Sequence, residues 1–185
     1  MSTLTTTPEI APGTWAADQA HSQVDFAVKH LGIATVRGTF ERFEGSFEVG
    51  EDISTATFRA TIEAASINTN EEQRDAHLRS ADFFDVERFP QLTFVSTQVT
   101  PVDEATLRVK GDLTMHGVSR EVELVATIHG TESDPWGNER VGLELTGQLS
   151  RGEFGMEFNQ VLGSGNLLVS DKVKLSLDIS AIKRA

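Results

Sequence analysis

Cysteine is absent from the 185 residues, which removes disulfide frameworks, thiolate metal sites and cysteine nucleophiles together. Basic residues are scarce as well, with 16 Lys and Arg against 28 Asp and Glu and a formal charge of −12. Such a surface repels phosphate backbones and anionic bilayers, so nucleic acid is not an expected partner. No apolar run approaches the length of a membrane span, and residues 1–15 hold neither a basic residue nor an apolar stretch suited to a secretory signal. A cytoplasmic protein without stable membrane insertion is the expectation. Repeats, low-complexity tracts and interdomain linkers are missing too. The length suits one domain over residues 14–185, preceded by a flexible lead-in, residues 1–13, rich in Thr and Pro.

What is present is alternation. Val24, Phe26 and Val28 alternate with polar or small neighbours in a run over residues 14–30, the period of a half-buried strand. A second run covers residues 36–49, where Phe40, Phe43 and Phe47 do not share one parity, so a bulge is expected near Arg42 or Gly45. A third, residues 55–65, alternates throughout, with Phe58 on its apolar side. Runs at 91–99, 105–115, 120–130, 141–149 and 173–179 follow, and Met115-His116-Gly117-Val118 reads as a hairpin turn between two of them. Eight single-faced strands need a partner surface, and one short helix cannot cover them. The expected class is therefore all-β with one short helical insertion, closed as an eight-stranded antiparallel barrel or folded as a sandwich. Ala56, Ala60, Ala64, Gly111, Ala126 and Gly147 fall on the apolar faces. Either they leave a barrel hollow, or they face bulky neighbours and mark strand bends.

The insertion occupies residues 66–95. Thr69 followed by Glu72 fits a capping box, which predicts a helix from about Asn70 to Ser80. Arg74, His77 and Leu78 then share a face, and Asp75 is spaced to pair with Arg79. Phe83 and Phe84 are adjacent, so at least one must plug an interior rather than face solvent.

Few residues suggest chemistry. The five histidines show no metal-ligand spacing, and bonds to backbone or carboxylates explain them as well. No nucleophile elbow or phosphate-binding loop is present, so no catalytic residue and no metal ligand is assigned. Arg74, His77 and Arg79 are candidates for gripping an anionic head group; their alternative role is to neutralise Asp75, Asp82 or Asp85.

Several stretches resemble, as an ordered set, the YceI-like family of polyisoprenoid-binding proteins: Asp18-x-x-His21-Ser22-x-Val24-x-Phe26, Gly38-Thr39-Phe40, Phe43-x-Gly45, Ser66-Ile67-x-Thr69, Arg74-Asp75-x-His77-Leu78, Asp82-Phe83-Phe84-Asp85, Gly111-x-Leu113-Thr114-x-His116-Gly117-Val118 and Arg151-x-x-Phe154-Gly155-Met156. The resemblance implies a lipocalin-like barrel whose lumen holds a long apolar molecule such as an isoprenoid quinone or a polyprenyl pyrophosphate. It also implies that no cofactor is required. Many members carry a secretion signal, which is not seen here.

Strand phase nominates the lining of such a lumen: Phe26, Val28, Phe40, Phe58, Phe94, Leu113, Leu145 and Leu177, with Phe83 or Phe84 at the entrance. The leading expectation is a non-enzymatic lipid carrier, and a two-fold dimer is the expected assembly if the chain self-associates. Two alternatives are an enzyme using His30, His77 or His116 on such a lipid, and a protein-binding module working through an unpaired sheet edge.

Overall fold

The computed structural model describes residues 9–184, so residues 1–8 of the expected lead-in lie outside the described residues. The alternating runs form strands β1 (Gly13–Ala17), β2 (Gln23–His30), β3 (Ala34–Phe40), β4 (Phe43–Val49), β5 (Thr57–Glu63), β6 (Ile67–Asn68), β7 (Gln91–Pro101), β8 (Thr106–Met115), β9 (Val118–Ser133), β10 (Glu139–Ser150) and β11 (Val169–Lys183). Some of these are fragments of one path. β1 and β2 both run antiparallel to β11, separated by the 3-10 turn Gln19–His21. β4 and β3 continue each other beside them, and β5 and β6 do the same one place further on. Eight paths result, each antiparallel to its sequence neighbours, and β11 returns to β1 to close the ring. Closure disposes of sheet edges without any second layer.

The bulge expected near Arg42 is real. β3 ends at Phe40 and β4 begins at Phe43, and the two intervening residues restore phase, so that Phe40 and Phe43 are both buried. Comparable breaks at residues 18–22 and 64–66 lie beside it. Glu41 N donates to Ser66 O (3.1 Å), Glu63 N to Arg42 O (3.0 Å) and Gln19 Nε2 to Phe43 O (3.0 Å). Together the interruptions form a crease across three neighbouring paths.

The connections divide unevenly between the two ends. One end carries the turn 31–33, the insertion 69–90, the hairpin at His116-Gly117 and the long segment 151–168. That hairpin has the mirror-image geometry that matches strand twist, with φ of 55° at His116 and 73° at Gly117. The other end holds shorter links and Trp15, which is 1% exposed. Its indole stacks on Phe47 at 6.0 Å, and Phe47 on Phe58 at 5.1 Å.

The small inward residues have now separated into two groups. A Cβ on Gly111 would meet Phe94 Cζ and Val95 O, both at 2.5 Å, and one on Gly147 would meet Leu124 Cδ2 at 2.7 Å. These glycines are filled over by neighbours. Of the six small positions considered, Ala60 borders the central cavity described below.

Near Trp15, Asp18 accepts bonds from His21 Nδ1 (2.8 Å) and Arg140 Nη1 (2.9 Å), which hold its carboxyl below the usual carboxylate range. Unfolding returns it to about 3.9. The unfolded chain then binds the proton first, so this contribution is complete above about pH 4 and is lost as pH falls below that. Between pH 7 and pH 3 the urea midpoint should therefore drop less in Asp18→Asn than in the parent. Superimposable pH profiles would rule out Asp18 as a contributor.

Candidate functional site

Inward side chains from all eight paths surround a cavity of about 200 Å³. It extends from Ala17 and Ala181 near the Trp15 end to Leu78, Phe83 and Met156 at the other, which makes it long and slim. All ten residues nominated from strand phase and from the aromatic pair border it: Phe26, Val28, Phe40, Phe58, Phe83, Phe84, Phe94, Leu113, Leu145 and Leu177. Phe26, Val28, Ala60, Val173, Leu175 and Leu177 point inward yet remain only half-buried. Asp25, Ser46 and Arg59 also border the cavity. Successive strand residues face opposite ways, so these three contribute backbone and turn their polar ends outward.

The insertion forms a plug at one end. Helix α1 (Glu72–Arg79) is capped by Glu71, whose carboxylate accepts from Gln73 N (3.2 Å) and Arg74 N (2.6 Å). The capping box expected from Thr69 and Glu72 does not form. Thr69 is 4% exposed and serves another purpose: its N–H donates to the buried Asp75 carboxylate at 2.9 Å, and its hydroxyl also meets that carboxylate. Arg74 then donates to Thr69 Oγ1 (2.7 Å) and Thr69 O (2.6 Å). This network fixes the helix against β6. Beyond the helix, Phe83 packs on His77 and Phe158, while Phe84 meets Phe40 edge-on at 5.7 Å. Both aromatics face the cavity, one more than the minimum expected.

The head-group candidates have other partners. Arg79 donates to Ala65 O (2.9 Å) and Ile67 O (3.1 Å), so the expected Asp75–Arg79 pair is absent, because Asp75 is turned in toward Thr69. Neither arginine neutralises Asp82 or Asp85; both stitch the insertion to backbone carbonyls. His77 pairs with Asp82 at 2.8 Å. None of Arg74, His77 and Arg79 lines the cavity.

The histidines disperse. His116 Nδ1 lies 3.0 Å from Phe154 O, and His21, His77 and His129 meet Asp18, Asp82 and Glu144. His30, His77 and His116 do not border the cavity, and among the described residues no three His, Asp or Glu side chains cluster as metal ligands would.

One ionic side chain does border it. Arg151 follows β10 in the 3-10 turn Arg151–Phe154 and is 5% exposed. Its guanidinium donates to Met156 O (2.7 Å), Ser170 O (2.9 Å) and Val169 O (3.1 Å), with the Phe83 ring 5.8 Å away. Burial lowers its pKa, against the nearby charge of Asp171. That carboxylate is itself held by Ser150 Oγ and Gly152 N. Phase was the available signal: Leu145, Gly147 and Leu149 face inward, and Arg151 is next in that series.

A family model described as YceI-like domain matches residues 15–181. The UPF0312 protein of Pseudomonas putida (strain GB-1) is 38% identical over 165 residues, covering 89% of this chain and 82% of that one. A UPF0312 protein of Vibrio cholerae serotype O1 is 34% identical over 166 residues, with 89% and 84% covered. Among solved structures, the Campylobacter jejuni YCEI protein gives a TM-score of 0.73 at 28% identity over 85% of this chain and 90% of its own. Burkholderia cenocepacia BcnA gives 0.78 at 21% identity, with 89% and 98% covered. A polyisoprenoid binding domain from Saccharophagus degradans gives 0.69 at 14% identity, with 92% and 98% covered. The last two speak to the fold alone.

Proposed function

This chain belongs to the YceI-like family, and from that premise we propose that it binds, carries or sequesters a long-chain isoprenoid or similar amphiphile in its lumen without converting it chemically. The observation that carries this reading is the long apolar cavity, bordered by Phe26, Phe58, Phe94 and Leu145 along its length and by Phe83 and Phe84 at the plugged end. Burial of an apolar chain there supplies affinity at about 25 cal/mol per Å². The volume of about 200 Å³ lies below the roughly 300–1,000 Å³ of typical small-molecule sites. A single slim chain is the shape such a lumen favours, and a prenyl tail has it. A quinone or a polyprenyl phosphate is the ligand class intended. The Saccharophagus domain, described as polyisoprenoid binding, adds support by analogy.

The enzyme alternative is less well supported, because His77 and His116 are engaged separately and neither they nor His30 border the cavity. A partner-binding edge is less favoured, because the ring of strands closes and the stretches paired on one side only, such as residues 34–38 of β3, are short. Native mass spectrometry of freshly purified protein, followed by organic extraction, tests the proposal. A co-purifying lipid, or a thermal shift on adding prenyl lipids, is expected. A ligand-free mass with no shift from quinones or prenyl lipids would overturn it.

A further inference from the structure

Large apolar side chains left in solvent gather at the plugged end. Ile33 is 80% exposed, Val161 69% and Leu167 42%, and they sit on two touching loops. Val161 pairs with Leu167 across a small hairpin; beside it, Leu31 N donates to Leu168 O (3.0 Å) and Asn166 Nδ2 to Leu31 O (3.3 Å). A Cβ added at Gly163 or Gly165 would meet nothing within 4 Å, so the hairpin tip projects clear of the barrel. Its root is firm, because Phe158 packs on Phe83 with ring centres 5.2 Å apart. In a chain that is 24% charged, residues 31–36 and 158–170 hold no charged side chain. Contiguous exposed apolar surface of this kind marks a contact.

The charge of the adjoining wall gives the chemistry of the partner. Lys29, Arg37, Lys172 and Lys174 are exposed on β2, β3 and β11, the strands that lead into these loops. Alternation turns them outward, since Phe26, Val28, Phe40, Val173 and Leu175 face the lumen. Lys174 and Arg37 flank Ala27, and among the described residues none of these cations is paired with a carboxylate. Asp171, which bounds the uncharged run, is turned to Ser150 Oγ and Gly152 N. The net charge of −12 is thus reversed locally, and at physiological salt exposed charges farther off than about 8 Å are largely screened. Trp136 at the other end, 79% exposed, lacks this setting, because its hairpin carries Glu132, Asp134 and Glu139.

We propose that loops 31–33 and 161–167 dock the protein on the surface of a bilayer containing anionic phospholipid, with Ile33, Val161 and Leu167 entering the headgroup region and the four cations meeting phosphates. Affinity for such a surface grows with buried apolar area and with attraction to anionic lipid. The contact is peripheral and stands on the outer surface alone. Through Phe158 it also brings the plug of the lumen up to the lipid.

Sedimentation of the full chain with vesicles of phosphatidylcholine, alone or mixed with phosphatidylglycerol, tests this. The parent should bind the mixed vesicles about tenfold or more tightly than the neutral ones and lose that preference in high salt. Ile33→Asp combined with Val161→Asp should weaken binding to the mixed vesicles about tenfold or more, and Lys172→Glu combined with Lys174→Glu should do the same. All four positions are exposed, so urea midpoints should match the parent; if the aspartate pair does not fold, the lysine pair decides. No binding by the parent, equal binding to both vesicles, or binding that a folded pair leaves unchanged overturns the docking surface. So does a parent dimer that either pair splits while vesicles stay unbound, which would assign the face to a second copy of the chain. Sedimentation reads contact with the bilayer and organic extraction reads the lumen, so either reading can fail while the other stands.

Discussion

Ala60→Phe is expected to weaken binding of a prenyl lipid roughly 60-fold while leaving the barrel folded. Ala60 lies on β5 opposite Gly45 on one side and Phe94 on the other, and it borders the cavity. A phenyl ring at this position enters space that is already open, so the usual overpacking cost of about 1–3 kcal/mol is reduced. The same ring displaces ligand. If it removes about 100 Å² of apolar contact, the loss is roughly 2.5 kcal/mol at 25 cal/mol per Å², and each 1.4 kcal/mol is a factor of ten. Thermal unfolding and a fluorescent-lipid titration on the same preparation separate the two effects. A variant as stable as the parent that binds equally well would mean that ligand does not occupy this cavity.

Trp15→Ala should cost about 3–5 kcal/mol of folding stability, the range for truncating a large buried aromatic. Trp15 is held from both sides, opposite Phe47 on β4 and Lys183 on β11, so the strands cannot close over the void. Its indole N–H also donates to Ala11 O at 3.0 Å, tying down the residues that precede β1. With total stabilities of roughly 5–15 kcal/mol for domains of this kind, such a loss is a large share. Urea unfolding with a shared slope measures it, and Trp15→Phe, which keeps the stack on Phe47, should lose distinctly less. A cost below about 1 kcal/mol for the alanine variant would show that the Trp15 end of the barrel is not closed by this side chain.

The strands were legible because each buries one face, and alternation is the direct imprint of that. Phase also nominated eight of the side chains that border one cavity, and the adjacency of Phe83 and Phe84 supplied two more. Interruptions were harder to see. The break after Phe40 declared itself through a change of parity; those at residues 18–22 and 64–66 shift parity too, from Trp15 and Ala17 to Val24 and from Ile62 to Ile67, but each has too few inward residues on one side for the shift to stand out. The insertion was the least readable part. Thr69 and Glu72 have the spacing of a cap, but Thr69 is drawn inward to Asp75 and Glu71 takes its place. Arg74 and Arg79 looked free because their acceptors are carbonyls, which every residue possesses and no composition reveals. Arg151 was missed for the opposite reason: the eye passes over a charge just beyond the end of an apolar series, although its parity matches.

The crease makes the wall unequally braced. Above it, the β2–β3 hairpin is tied along one border to β11 and on the other only through Thr39–Asn68 and Phe40–Ile67. Elsewhere, ladders such as that between β10 and β11 run from residue 140 to residue 150 without a gap. A load applied from inside, as by a guest wider than the resting bore, meets least resistance at this panel.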